Sequence, residues 1–397
     1  MDNQLNRKKL VYQSIAKRGI VSKTDLLGQF ELSTSTMNRL LEELTGEGFI
    51  EEVGFGPSSG GRKPILYRAA ASRGYIVGLE ISRFYSALGL FDLHLNAKTL
   101  VRWRMDEDMT PETFVAHAAR QINAMLHDHQ LERDRVIGIG IGAVGPLDRE
   151  RGRILNPLHF RAPGWTDVPI CELMERAAGI PAMLDNGANT GLMGEHWAMR
   201  DERPELKHAL YVHAGISLRS SMMSNGQIVH GKVDMEGSIG QMIIHAGGDR
   251  LGPHGNYGAL ESYASVRALE KLAQTEAKIR RDELLPLREA APDSIAYDRL
   301  LSELSQDNGQ VLELFLRTAR YFGIGLANVI NLFHPELIIL GGPLVTAHER
   351  FYQTAIEVAL AHTYYYPEYA PAFSKGILRE DAVVTGAAYM VWKAMAM

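Results

Sequence analysis

The sequence predicts an α/β protein with a small, mainly helical N-terminal domain ahead of a larger body. Within residues 1–70, three short amphipathic helical patterns precede two strand patterns that flank a glycine-rich loop. From residue 74 onward, short apolar runs typical of buried strands alternate with longer amphipathic segments typical of helices. Such alternation indicates sheets covered by helices.

Composition and length limit the classes of protein to consider. The chain has 397 residues, of which 46% are apolar and 22% charged, as in ordinary globular proteins of about two or three domains. Cys171 is the only cysteine, which excludes an internal disulfide and a cysteine-based zinc site. The N-terminal residues lack the apolar core of a signal peptide, and no apolar run reaches the roughly 18 residues of a membrane helix. We therefore expect a cytoplasmic protein without a membrane partner.

The charge of the chain is unevenly distributed. Residues 1–70 contain ten Lys/Arg and eight Asp/Glu, a net charge of +2, whereas the other residues contain 32 and 39, a net charge of −7. A mildly basic N-terminal domain on an acidic body is compatible with DNA binding, although a difference of this size is weak evidence alone.

The three N-terminal helices are predicted from periodicity and capping residues. The first spans Asn3 to Arg18, the second begins at the capping-box pattern Ser22–Asp25 and reaches Phe30, and the third opens at Ser33. One buried stripe of the third helix is predicted to contain Met37, Leu40, Leu41 and Leu44. These lengths and short turns are those of a helix-turn-helix.

The polar face of the third helix and the following loop carry groups suited to DNA. That face presents Ser35, Thr36, Asn38 and Arg39 near the helix N-terminus, the end that enters a major groove. Strand patterns at 49–53 and 65–68 enclose a wing loop with Arg62 and Lys63 at its tip. We therefore predict a winged helix-turn-helix over residues 1–70 that binds a double-stranded DNA operator. A three-helix interaction module with a flexible linker is the alternative.

The body is organised around residues 184–197, Leu-Asp-Asn-Gly-Ala-Asn-Thr-Gly-Leu-Met-Gly-Glu-His-Trp. This segment resembles the active-site segment of the ROK family, which comprises sugar kinases, open reading frames and transcriptional repressors. Asn186, Asn189, Gly194 and Glu195 fit the kinase pattern, but the position of the catalytic aspartate is Gly187. The resemblance extends to the wing, to residues 136–146 and to residues 335–342.

The resemblance implies a two-lobed, RNase-H-like (actin/hexokinase-like) sugar-kinase fold after the N-terminal domain. Its first lobe would span residues 74–186 together with the C-terminal helix of residues 376–397. Its second lobe, residues 187–375, would provide oligomerisation, for which the four tyrosines of residues 362–369 are suited. A packed loop is an equally good interpretation of those tyrosines.

The motifs of kinase chemistry depart from the family pattern. Residues 80–85, Glu-Ile-Ser-Arg-Phe-Tyr, lack both glycines of the first phosphate loop, and residues 215–219 lack the threonine and two glycines of the second. The three zinc-binding cysteines of the family become Gly252, His254 and Ala259. We therefore expect no catalytic residue, no ATP or other cofactor and no bound metal.

A reduced set of sugar-contacting residues is implied by the same resemblance. Asn186, Asn189 and Glu261 match the family pattern, whereas Ser238 and Gln241 replace its glutamate and histidine. Ser and Gln can still form hydrogen bonds with hydroxyl groups. Two interpretations therefore stay open, a cleft that binds a sugar or sugar-acid effector and a cleft that binds nothing.

Taken together, these features predict a transcriptional regulator of sugar-related genes, a repressor, with a kinase-like effector and oligomerisation domain. It would act as a homodimer or homotetramer, because two heads must span two half-sites on DNA. The competing interpretation is a sugar kinase with a DNA-binding head, in which Asp185 replaces the aspartate missing at Gly187. A third is an interaction module controlled by a regulatory protein instead of a small molecule.

Overall fold

The computed structural model describes residues 2–57, 63–232, 238–253, 255–279 and 294–395, with side chains from Arg7 onward. The chain forms two units. The first unit comprises residues 1–204 and 381–397, and the second comprises residues 205–380. The boundary therefore differs from the predicted one at residue 187, because the helix that begins there packs in the first unit.

The N-terminal domain has the element order of a winged helix-turn-helix. Its helices are α1 (Asp2–Arg18), α2 (Lys23–Gln29) and α3 (Thr34–Gly46), and its strands are β1 (Ile20–Ser22), β2 (Ile50–Phe55) and β3 (Ile65–Ala69). The strands form an antiparallel sheet in the order β1-β3-β2. Strand β1 was not predicted, because a three-residue strand is defined by its pairing with β3 and not by a local pattern. The predicted capping box of α2 is confirmed in the hydrogen bonds between Ser22 and Asp25, which also lower the pKa of Asp25.

The rest of the first unit is built on a mixed five-stranded sheet with the order β10-β7-β4-β5-β6. Its strands and helices in chain order are β4 (Tyr75–Ile81), β5 (Tyr85–Asp92), β6 (Ala97–Arg104), α4 (Pro111–Asp128), β7 (Val136–Ala143), β8 (Leu147–Asp148), β9 (Arg153–Ile154), α5 (Ile170–Ala178), β10 (Ala182–Asn186) and α6 (Gly187–Ala198). Alternation along the strands directs side chains to two cores. Val77 and Leu79 of β4 contribute to the core that contains α4 and α5, whereas Ile76 contributes to the other core.

Helix α13 (Ala382–Ala394) lies in backbone contact with both the sheet and α6. A Cβ atom added to Gly140 of β7 would lie 1.8 Å from the carbonyl oxygen of Ala387, and one added to Gly386 would lie 1.6 Å from that of Thr190. Glycine is therefore required at both positions.

Aromatic side chains join the N-terminal domain to the same helix. Tyr12 of α1 packs against Trp392 of α13 with ring centroids 6.3 Å apart, and Trp392 packs against Trp197 of α6 at 5.0 Å. Tyr12 is fully buried and Trp392 is 3% exposed. These residues share one apolar core with the buried face of α3.

The second unit contains another five-stranded sheet, with the order β13-β12-β11-β14-β15. Its elements are β11 (Ala209–Ala214), β12 (Leu218–Ser224), β13 (Gln227–Ile228), α7 (Glu261–Ala264), α8 (Val266–Ile279), α9 (Tyr297–Leu304), α10 (Gly309–Phe333), β14 (Leu337–Gly341), α11 (Pro343–Ala347), α12 (Glu349–Ala361) and β15 (Ala372–Ser374). Phe315 and Phe322 of α10 lie fully buried in its core. In neither unit is a described helix both long and apolar enough to cross a bilayer.

Substitution of Gly386 by alanine tests the backbone contact of α13. We expect Gly386→Ala to lower the free energy of unfolding of the first unit by about 3 kcal/mol, because the added methyl group overlaps the carbonyl of Thr190. The measurement is urea unfolding followed by tryptophan fluorescence, which reports on this unit since all four tryptophans lie in it.

Gly28→Ala is the matched control. A Cβ atom there would meet nothing within 4 Å, and alanine favours a helix over glycine, so stability should rise by about 0.5–1 kcal/mol. An equal rise in Gly386→Ala would contradict the close contact.

Candidate functional site

The N-terminal end of α3 is the first candidate site. Ser33 caps the helix, since its Oγ accepts a hydrogen bond from the backbone N–H of Thr36 at 3.2 Å. The same hydroxyl lies 3.0 Å from the Ser35 Oγ and 2.9 Å from the Thr36 Oγ1. The predicted buried stripe is confirmed, and it consists of Met37, Leu40, Leu41 and Leu44. This burial leaves Ser35, Asn38 and Arg39 on the exposed face.

Two side chains on that face have defined neighbours. The Asn38 Oδ1 accepts a hydrogen bond from the Lys23 Nζ of α2 at 3.0 Å. The Arg39 Nε lies 3.9 Å from the Glu43 Oε1, and the Arg39 side chain is 53% exposed. An exposed ion pair of this kind contributes little to stability, so Glu43 can be exchanged for another partner.

The wing carries one basic residue, Lys63, within the part of the chain that the structure describes. Lys63 is exposed at the edge of the loop, whereas Arg62 lies outside the described residues. The base of the wing is closed by a hydrogen bond from the Gly56 N–H to the Pro64 carbonyl at 2.8 Å. Lys63 is therefore attached to the ordered β2–β3 hairpin.

The second candidate site lies where β10 ends and α6 begins. The Asn186 Oδ1 caps α6 by accepting the Ala188 N–H at 2.9 Å. The Asp185 Oδ1 accepts hydrogen bonds from the Asn186 N–H at 2.6 Å and from the Asn189 Nδ2 at 2.8 Å. Asp185 is only 4% exposed and Asn189 only 1%. These carboxylate and amide groups thus stabilise the junction between strand and helix.

The other predicted effector residues belong to the second unit. Gln241 accepts a hydrogen bond from the Asn256 N–H on its Oε1, and its carbonyl accepts one from the Asn256 Nδ2, both at 2.9 Å. Glu261 is the first residue of α7, and its Oε2 would lie 2.7 Å from a Cβ atom on Gly240. Ser238 begins the same short segment and is partly exposed. The structure therefore groups these three residues around Gly240, whereas Asn186 and Asn189 lie in the first unit.

The loop that matches the family's zinc segment is held by hydrogen bonds in its described part. The Gly258 carbonyl accepts the Ile244 N–H, and the Asp249 carbonyl accepts the Gly258 N–H. The Asp249 N–H donates to the Tyr263 hydroxyl at 2.7 Å. No cluster of three or more His, Cys, Asp or Glu suitable for a metal occurs within the described part of the chain, which does not include His254.

Sequence analysis missed several of these contacts. The motifs that contain Lys23 and Asn256 assign no role to either side chain, and their partners are fixed by helix packing and by loop closure. The hydrogen bond between Asp185 and Asn189 joins residues that are four positions apart in the sequence. It could therefore have been inferred from the capping pattern of α6.

The comparisons with known proteins agree with the fold. The ROK family model matches residues 76–394, so the chain belongs to the ROK family. The chain is 27% identical over 390 residues to the xylose repressor of Caldicellulosiruptor bescii, covering 98% of this chain and 95% of that protein. It is 26% identical over 277 residues to the glucokinase of Halalkalibacterium halodurans, covering 69% of this chain and 81% of that protein.

A solved structure extends this likeness over the whole chain. The crystal structure of a ROK family transcriptional regulator, a homologue of the Escherichia coli MLC protein, matches with a TM-score of 0.78 at 20% identity. The match covers 99% of this chain and 97% of that one. The predicted family and α/β fold are therefore confirmed. The residues before position 76 precede the family model, yet 98% coverage by the xylose repressor includes nearly all of them.

Removal of the Asn256 side-chain amide tests what holds the loop that matches the family's zinc segment. We expect Asn256→Ala to speed hydrogen–deuterium exchange of residues 243–253 about fivefold, because the hydrogen bond from the Asn256 Nδ2 to the Gln241 carbonyl is lost. EDTA should leave exchange in the unsubstituted protein unchanged.

Asn123→Ala, which removes an exposed amide that accepts a hydrogen bond from Arg133 in the first unit, is the matched control and should leave this loop unaffected. Faster exchange on addition of EDTA would instead indicate that a metal holds the loop.

Proposed function

We propose that this protein is a DNA-binding transcriptional repressor of sugar-related genes, with a ROK body that performs no kinase chemistry. The observation that carries the proposal is the capped helix α3, whose exposed face holds small hydroxyl, amide and guanidinium groups. This helix lies in the N-terminal stretch included in the match to a xylose repressor.

Helix α3 would enter the major groove of an operator. The exposed Ser35, Asn38 and Arg39 lie within its first two turns, the part of a recognition helix that reaches base edges. Arg39 would read a base, and Lys63 on the wing would contact the phosphate backbone, with Arg62 as a further predicted contact.

The junction of β10 and α6 argues against phosphoryl transfer. A catalytic base must lie within hydrogen-bond reach of the substrate hydroxyl, and Gly187 offers no side chain. Asp185, the alternative base, is buried and accepts two hydrogen bonds that hold α6 in place. ATP and zinc are accordingly not part of the proposed mechanism.

The body would instead receive a regulatory input. Asn186 and Asn189 of the first unit are one set of proposed contacts for a sugar effector, and Ser238, Gln241 and Glu261 of the second unit are another. A regulatory protein is the alternative input. A change at the start of α6 can reach the DNA-binding head through Trp197, Trp392 and Tyr12. Binding would shift the population of head arrangements in a cytoplasmic homodimer or homotetramer.

The similarity to a glucokinase favours one alternative, a sugar kinase with a DNA-binding head. That alternative requires sugar-dependent hydrolysis of ATP that depends on Asp185.

Substitutions on α3 and on the wing test the DNA interface. We expect Arg39→Ala to weaken binding to the preferred fragment at least about tenfold and to relax base preference at one position. Lys63→Ala should weaken binding to all fragments alike and reduce the slope of log affinity against log salt by about one. Fluorescence anisotropy at several salt concentrations measures both effects.

The exposed Lys17 of α1 provides the control, and Lys17→Ala should retain the base preference. Unchanged affinity in both Arg39→Ala and Lys63→Ala would eliminate the winged-helix interface.

A coupled assay of ATP hydrolysis with glucose, xylose and N-acetylglucosamine tests the kinase alternative. We expect no sugar-dependent hydrolysis, since the carboxylate two positions before Gly187, that of Asp185, stabilises the fold. Activity that disappears in Asp185→Asn, in protein that keeps its unfolding midpoint, would establish the kinase interpretation.

A further inference from the structure

The recognition helix receives a contact from a neighbouring helix. Lys23 is the first residue of α2, and its Nζ donates a hydrogen bond to the Asn38 Oδ1 of α3 at 3.0 Å. Lys23 is partly buried, whereas Asn38 lies on the exposed face of α3 beside Arg39. The contact therefore fixes a side chain that faces outward from the DNA-binding head.

The chemistry of lysine determines the orientation of the Asn38 amide. An ammonium group has three donors and no acceptor, so the amide oxygen must face Lys23 and the NH₂ group must point away from it. A freely rotating asparagine could instead present both its oxygen and its NH₂ group to a base.

This orientation has a consequence for base recognition. Asparagine reads adenine in a bidentate manner, with its oxygen accepting from N6 and its NH₂ group donating to N7. The Asn38 oxygen, which has two lone pairs, already accepts from the Lys23 ammonium, and this contact directs the two N–H donors of the amide away from Lys23. Donors match the major-groove edge of guanine, which presents two acceptors, N7 and O6.

We propose that Lys23 is a positioning residue that orients the Asn38 amide and makes it favour guanine over adenine in the operator. The proposal rests on the proposed DNA-binding function and deepens it, since it assigns a determinant of base preference to a residue outside the recognition helix.

Local helix energetics do not account for a lysine at position 23. The positive end of the helix dipole disfavours a cation in the first turn. The needs of that turn are already met by Ser22 and Asp25, which form a capping box. Loss of the Lys23 charge should therefore leave α2 intact, and the contact with Asn38 gives the residue its role.

The other polar groups near the start of α3 are held differently. Ser35 and Thr36 share the hydroxyl of Ser33 and belong to the helix cap. Arg39 lies near Glu43, one turn further along the same helix. Asn38, in contrast, accepts a hydrogen bond on its side-chain amide from Lys23 of α2.

A double-mutant cycle with competing DNA fragments tests the proposal. Fragments that differ by a single base pair are derived from the site that the unsubstituted protein selects. The ratio of affinities for guanine and adenine is then measured at each position. The unsubstituted protein should favour guanine about tenfold at the position that loses its preference in Asn38→Ala. Lys23→Met, which keeps the aliphatic stem, should abolish or reverse that ratio.

Three further variants separate positioning from general effects. Lys23→Met should have no additional effect on the ratio in the Asn38→Ala background, because no amide is left to orient. Lys23→Arg retains donors and should restore the preference. Lys17→Met removes an exposed charge elsewhere in the head and should leave the ratio unchanged.

The outcomes distinguish failure of the inference from failure of the proposed function. A uniform loss of affinity in Lys23→Met, with an unchanged guanine-to-adenine ratio and a salt slope reduced by about one, would mean that Lys23 contacts only phosphate. An adenine preference at the Asn38 position in the unsubstituted protein would also overturn the inference. Selection of no recurrent site by the unsubstituted protein would overturn both the inference and the proposed function.

Discussion

The backbone contact of α13 is the constraint on which the first unit depends. Glycines in β4, β7 and α6 allow these elements to lie against carbonyl groups of the helix, including those of Ala382 and Ala387. Its last turn carries Trp392, which contacts Tyr12 of the head and Trp197 of α6. One short C-terminal helix thus joins the sheet, the candidate effector segment and the N-terminal domain. Close packing of this kind transmits displacement because the interior has little free volume.

The body keeps the ROK fold while its polar groups stabilise structure. Asn186 caps α6, and Asp185 holds both that cap and Asn189. In the second unit Gln241 forms a pair of hydrogen bonds with Asn256, in the segment that matches the family's zinc loop. These bonds supply a local reason for the fold to persist independently of catalysis.

Sequence reasoning succeeded where structure is local. The helices of the head follow from capping residues and from a repeat of apolar residues, so Met37 and Leu41 were placed in the core and Asn38 on the surface. It failed where contacts connect distant parts of the chain. Three such contacts join residues that are far apart in the sequence. They are the packing of α13 against Gly140, the pairing of β1 with β3, and the burial of α6 in the first unit. The roles predicted for Ser238 and Glu261 stay predictions.

Selection of genomic DNA fragments by the purified protein, followed by sequencing of the bound fragments, tests the central claim most directly. The account predicts one recurrent, roughly palindromic site, with half-sites about one helical turn apart, because paired heads must place two α3 helices in successive major grooves. Diffuse binding that disappears above about 0.2 M salt would reflect electrostatic attraction alone and would contradict the account.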